Sequence, residues 1–159
     1  METEQQKNEA KEMYKTMCDA LDEIGWNYEK DEKTLNVTMG VDCETVSINL
    51  MSFVDEESST ICTLSILPFS VPSSRVIDVI VVIGMINCTL IDGRFTFTTG
   101  GNITYSTCMG YKNSFISKEA VEYLVYVSCA ALDAYSDMLM AVAEDRMSIM
   151  EAAEALKNR

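Results

Sequence analysis

The sequence predicts an α+β domain: α-βββ-α-ββ-α, a five-stranded antiparallel sheet with helices packed on one face. Three observations carry this. Residues 35–67 hold three alternating apolar/polar runs joined by short polar turns. Phe95 and Phe97, then Ile103, Tyr105, Thr107 and Met109, alternate on either side of Thr99-Gly100-Gly101-Asn102. Both ends of the chain repeat apolar residues at three- and four-residue spacing. Alternation marks half-buried strands, and the three-to-four spacing marks one face of a helix.

Residues 3–24 read as an amphipathic helix, with Ala10, Met13, Tyr14, Met17, Leu21 and Ile24 on one stripe and Glu and Lys opposite. Gly25 stands where a helix C′ residue belongs, and Trp26 packs back beyond it. Residues 28–33 form a charged loop. Strand one follows, with Leu35, Val37, Met39 and Val41 on one face. Strand two spans 45–53, with Val46, Ile48 and Leu50 opposite Ser47, Asn49 and Met51. Strand three spans 60–67, with Cys62, Leu64 and Ile66 inward. Short connections cannot make parallel crossovers, so the three form an antiparallel meander. Its other face, rich in Ser, Thr and Asn, suits solvent or a loosely held partner.

Pro68 and Pro72 break the third strand, and Ser73 or Ser74 can cap a helix. In residues 75–86, Val76, Ile77, Val79, Ile80, Val81, Val82 and Ile83 are β-branched, which favours a strand. Length and the preceding Pro-Ser-Ser favour a helix, and we assign a helix. Only Arg75, Asp78 and Asn87 interrupt its apolar surface, so it needs cover on two sides. One cover is the sheet; the other is the C-terminal helix or a second copy. After the 95–109 hairpin, Ser117 opens a long helix, with Ala120, Leu124, Val127, Ala131, Tyr135, Met138 and Val142 on one face. Lys118, Glu122, Asp133, Asp137 and Glu144 make its narrow solvated stripe. Ser148-Ile149-Met150-Glu151 fits a capping box, so a break near Ser148 and a short last helix to Lys157 are expected; a continuous helix is the alternative.

Length fits one domain, 1–159. Hydrophobic residues make 48 % and charged residues 23 %, an ordinary globular balance that rules out a chain too polar to fold. The net charge of -13 opposes nucleic acid and anionic membrane surfaces. The apolar run at 76–86 is too short to span a bilayer, so no membrane segment is expected. Met1–Lys7 has no apolar run, so no signal peptide is expected. The three Asn-x-Thr sequons, at Asn36, Asn87 and Asn102, are then coincidental. The six cysteines include no Cys-x-x-Cys pair, and His is absent, so zinc is not expected. Reduced thiols in the cytoplasm, acting as small buried hydrophobes, are the expectation.

Catalytic chemistry finds little support. Without His the usual general base and triads are missing. Cys43 lies between Asp42 and Glu44, which raise its pKa. The carboxylate groups Asp19, Asp22, Glu23 and Asp55, Glu56, Glu57 read as a solvated helix face and a turn. Gly100-Gly101 leads into a strand rather than a helix N-terminus, so it is no phosphate loop. No catalytic residue, cofactor or metal is expected.

Several short segments carry a resemblance: Val46–Leu50, the Leu67-Pro68 to Pro72 exit, Ile86-Asn87, Gly93-Arg94-Phe95, Gly100–Tyr105, Ser117-Lys118-Glu119, then Asp133 and Tyr135. In these segments and their order the chain resembles the type III secretion chaperones. Within that group it is most similar to the bacterial YbjN-like proteins, described as candidate sensory transduction regulators. The resemblance covers roughly residues 5–142, which it implies as the core, and leaves 143–159 as a C-terminal helical extension. It implies a non-catalytic homodimer that holds an extended polypeptide. On this reading Val76, Ile77, Ile80 and Ile83 form the dimer interface, and the partner is a protein or peptide bound by edge-strand addition or in an apolar groove. Asn87 reads as a backbone cap. The alternative is a small-molecule sensor with a pocket near Tyr105, Tyr111 and Tyr135.

Overall fold

The computed structural model describes residues 4–158; Thr3, where the first helix was expected to begin, lies outside them. The order is α1 (Glu4–Glu23), β1 (Glu29–Asp31), β2 (Asn36–Asp42), β3 (Ser47–Asp55), β4 (Thr60–Ser70), α2 (Val76–Asn87), β5 (Arg94–Phe97), β6 (Asn102–Gly110), α3 (Lys118–Ala143) and α4 (Ile149–Lys157). The strands form one antiparallel sheet of six, in the order β1-β2-β3-β4-β6-β5. The sequence reading expected five. The added strand, β1, comes from the charged 28–33 segment, whose three residues pair with Asn36–Thr38 although all are exposed. Backbone pairing needs no apolar side chain, so alternation could not reveal it.

α1 buries Ala10, Met13, Tyr14, Met17 and Leu21 against the sheet. Its end is a Schellman motif: Trp26 N donates to Leu21 O, Gly25 N donates to Asp22 O, and Gly25 has φ +73. α3 lies over β4 and β6, with Ser117 Oγ accepting from Ala120 N at its start. Helix α3 ends at Ala143, and Ser148 and Glu151 form the expected capping box of α4. Both α3 and α4 pack on α2, which also meets β5.

Two local expectations fail. β4 runs through Pro68 to Ser70 instead of stopping at Leu67. Pro68 sits in a register shift between Ile66 and Ser70, where the ladder to β6 is interrupted and no donor is required. No serine caps α2. A short 3-10 turn at Ser73–Arg75 leads in, and Arg75 is the N-cap without a side-chain cap bond. Arg75 instead clasps the α3–α4 corner: its Nε donates to Val142 O (3.0 Å), and its guanidinium pairs with Asp78 and Asp145 (2.9 Å each).

The largest correction concerns the phase of β4. Cys62, Leu64 and Ile66 were expected inward. The structure turns Ile61, Thr63, Ser65 and Leu67 towards the helices, and leaves Leu64 half-buried and Ile66 exposed on the other face. The register fixes this. Thr63 stands opposite Ser52 of β3 and Thr107 of β6, and Ser65 opposite Leu50 and Tyr105. The four Ser and Thr residues of these rows, Ser52, Thr63, Ser65 and Thr107, are buried. α3 meets Thr63 with Ser128, and its Ala131 and Ser136 are also small and buried. Small side chains on both sides let the helix approach closely. Thr63 and Ser128 share a hydrogen bond of 2.7 Å, and Ser128 also donates to Leu124 O. Among the described residues, the Oγ atoms of Ser52 and Ser65 are buried without a hydrogen-bond partner.

Candidate partner-binding surfaces

The face of the sheet away from the helices is built from two central rows. In one, Asn36, Phe53, Cys62 and Cys108 stand side by side across β2, β3, β4 and β6. In the next, Thr38, Met51, Leu64 and Ser106 do so, with Glu29 of β1 and Arg94 of β5 at the ends. Ile66 adds to the patch at 54 % exposure. The middle of this face is therefore apolar, made by Met51, Phe53, Leu64 and Ile66, with polar or charged residues towards both edges. Uncovered antiparallel faces ordinarily carry polar residues, and apolar patches with polar rims mark interaction sites.

Cys62 and Cys108 are joined by a disulfide across β4 and β6, with Cα atoms 4.1 Å apart. This corrects the expectation that every cysteine is a reduced, buried hydrophobe. The two residues are direct cross-strand partners, so pairing brought them together despite 46 residues of separation. Cys108 is exposed on the open face.

The sheet edges differ. At β5, the Asn87 side chain donates through Nδ2 to Phe95 O and accepts at Oδ1 from Phe95 N, both at 2.9 Å. One amide thus imitates a neighbouring strand and closes the edge at Phe95. The sequence reading made Asn87 a backbone cap; the backbone it caps belongs to β5. At the opposite edge β1 covers only Asn36–Thr38, so the outer edge of β2 is unpaired from Met39 to Asp42.

The four expected interface residues of α2 separate into two groups. Ile77 and Ile80 are 72 % and 43 % exposed, Val76 is half-buried, and Ile83 is buried in the core with Val79, Val82 and Ile86. Val81, 42 % exposed, takes the outward place. Ile77, Ile80, Val81 and Gly84 follow helical spacing along one exposed stripe. A Cβ on Gly84 would meet nothing within 4 Å, so this chain's own packing does not require glycine there.

The three tyrosines do not share a pocket. Tyr105 is fully buried, packs on Phe95 at 4.9 Å between ring centres, and donates its hydroxyl to Asp92 O. Burial pushes its pKa up to about 12. Gly93 (φ +70) makes room for it: a Cβ there would lie 2.3 Å from the Tyr105 hydroxyl oxygen. Tyr135 meets Phe95 edge-on from α3 and pairs with Thr89. Tyr111 lies at the far end of β6, its hydroxyl near Asp55 O, and lines a 430 Å³ cleft with Glu9, Glu12, Met13 and Phe115. Among the described residues no group of three or more His, Cys, Asp or Glu could hold a metal ion. α3 is long and apolar enough to cross a membrane by length and composition; in this fold half of its most apolar window is buried, as in a core helix.

No family model and no curated protein matches the chain. Solved structures do. YbjN, a candidate transcription regulator from E. coli, is 12 % identical, with a TM-score of 0.59 over 83 % of this chain and 92 % of that one. A chain of the ExsC–ExsE complex is 10 % identical, with a TM-score of 0.62 over 82 % and 95 %. A chain of the HopA1–SchA chaperone–effector complex is 10 % identical, with a TM-score of 0.55 over 86 % and 96 %. The chain has the fold shared by YbjN and type III secretion chaperones, as the order of its segments implied.

Proposed function

Starting from that fold, we propose that the protein is a non-catalytic protein- or peptide-binding module, chaperone-like or regulatory, acting as a homodimer. The observation that carries the reading is the phase of β4. It places hydroxyl residues under α3 and leaves Met51, Phe53, Leu64 and Ile66 on an uncovered face. Removing such side chains from water is favourable by roughly 25 cal/mol per Å² of apolar area, of which the surplus over the cost of association appears as affinity. The unpaired edge of β2 at Met39–Asp42 adds backbone donors and acceptors beside this face, which suits an extended segment. The net charge of -13 favours a basic or neutral partner. Two of the solved relatives of the fold are complexes, one of them a chaperone with its effector.

The second copy joins through α2 in this reading. Ile77, Ile80 and Val81 supply the apolar contact, and Gly84 lets two helices approach closely. Light scattering should give twice the chain mass for the unmodified protein and one chain mass for a folded Ile80→Asp variant. A monomeric unmodified protein removes the dimer. Affinity capture from the native host, with mass spectrometry, tests the module itself. The bound partner should be lost when Leu64 and Ile66 are both changed to Thr; capture unaffected by that change overturns the proposal.

A further inference from the structure

Four cysteines lie outside the Cys62–Cys108 bridge: Cys18, Cys43, Cys88 and Cys129. Two of them are neighbours. The turn between β2 and β3 is docked on α3: Thr45 N donates to Asp133 Oδ1 at 2.9 Å, and Thr45 Oγ1 also reaches Asp133. Cys43 lies two residues before Thr45, held by its N–H to Val46 O. Cys129 lies one helical turn before Asp133 on the same face of α3. The docking therefore brings Cys43 and Cys129 together, near enough for Cys129 to be among the groups that raise the Cys43 thiol. Both residues are partly exposed, so a small reagent can reach them. Cys18 is buried and Cys88 stands at the end of α2, so neither shares this arrangement.

We propose that Cys43 and Cys129 are a second disulfide-forming pair, a modification site that closes by exchange with a low-molecular-weight disulfide and staples the β2–β3 turn to α3. One thiol loses its proton and attacks the reagent disulfide, giving a mixed disulfide and one reagent thiol. The other thiol loses its proton and displaces the second reagent thiol, forming the Cys43–Cys129 bond. Two electrons pass to the reagent, which leaves as two thiols; the two cysteines are oxidised. The first bridge ties β4 to β6 within the sheet. The second ties the sheet to the helix layer, so together they fix the strand pairs that frame the open face. Burial and the neighbouring Asp133 and Asp42 push the Cys43 thiol up to about 12. The reactive thiolate is scarce at neutral pH, and exchange is slow.

The test uses the full chain and oxidised glutathione as the probe. After long incubation, free thiols are alkylated, the chain is digested, and cross-linked peptides are read by mass spectrometry. The expected product is a Cys43 peptide joined to a Cys129 peptide, with Cys88 recovered as its glutathione adduct. The oxidised protein should unfold several degrees higher than a Cys129→Ser variant treated alike. A Cys62→Ser, Cys108→Ser double variant should still form the bond, showing that it does not arise by exchange with the first bridge. Recovery of Cys43 and Cys129 only as separate alkylated or glutathione-bearing peptides, while Cys62–Cys108 is closed, overturns the proposal. So does a bond from Cys43 to any other cysteine.

Discussion

On β4 the residues beneath α3 are Thr63 and Ser65, and those on the uncovered face are Leu64 and Ile66. A sheet stabilised by its own chain alone would place them the other way round. The covered face accepts hydroxyls because the buried side of α3 carries small residues, Ser128, Ala131 and Ser136, and because Thr63 and Ser128 satisfy each other. The core on either side is strongly apolar: Leu50, Tyr105, Phe95, Leu132 and Leu139 are all buried. The open face has no such compensation. Its apolar centre costs free energy in water and gains it only against a second surface. The difference teaches that the two faces answer to separate requirements, close helix approach on one and partner contact on the other.

The sharpest way to break this comparison is to make the covered face apolar in fact. Ser65→Leu replaces the hydroxyl oxygen with three carbons between the sheet and α3, a net gain of two heavy atoms where the residue is 1 % exposed. Overpacking should cost about 3 kcal/mol and lower the unfolding midpoint by roughly 6–12 °C for a chain of this size. Calorimetry checks it. A neutral or stabilising result would mean that α3 does not need the small residues beneath it.

The reciprocal change acts on the open face. Leu64→Thr with Ile66→Thr puts β-branched residues with high strand preference at both positions. Stability should move by less than about 1 kcal/mol in urea unfolding, while affinity for the captured partner falls at least about tenfold, or ~1.4 kcal/mol. A stability loss as large as that of Ser65→Leu would make these residues ordinary core.

Within the covered face, satisfied and unsatisfied hydroxyls should respond differently. Ser128→Ala strands the Thr63 hydroxyl and should cost about 1 kcal/mol. Ser52→Ala removes an Oγ that has no partner and should be neutral or slightly stabilising. Equal losses from both, read by urea unfolding, would show that the hydroxyl row acts as packing alone.

The sequence made the helices, the hairpin and the α4 cap legible, because caps and periodicity are local. Ser117, Ser148 and Glu151 sit where their residue types require. The face of β4 was not legible. Thr60–Leu67 alternates Ile61, Thr63, Ser65, Leu67 against Cys62, Leu64, Ile66, and both sets carry enough apolar residues to be the core side. Only the partner rows Ser52 and Thr107, and the serines of α3, decide between them, and those lie up to 73 residues away from Thr63 in the chain. One signal was available: Ser128 and Ser136 stand eight apart in the middle of the long helix's apolar face, where only a polar or tightly packed neighbour accepts them. Ile83, expected at the interface, is buried within the chain instead, and the reason is related. On a helix apolar all round, composition cannot say which stripe faces inward. The Asn87 plug on Phe95 and the Arg75 clasp likewise depend on contacts that no local pattern encodes.

The phase that sets the two faces apart is fixed where β3 turns into β4, and that turn gives the smallest effect we expect. Asp55 Oδ1 accepts from Glu57 N and Ser58 N, and Oδ2 accepts from Ser58 Oγ. These bonds, with the Ser58 side chain foremost, hold its carboxyl below the usual carboxylate range. A slip of one residue at this turn would exchange Thr63 and Ser65 with Leu64 and Ile66. Because the folded-state pKa is depressed, the contribution of Asp55 is complete above the unfolded value of about 3.9. It is lost as pH falls through the lower folded value. Amide exchange at Ser58, corrected for its intrinsic pH dependence, should therefore stay protected from neutral pH down to about 4 and open below it. In Asp55→Asn the same amide should show a constant, lower protection across that window. Loss of protection beginning at pH 6 in the unmodified protein would show that another group holds the turn, and the register of β4 would then need a different anchor.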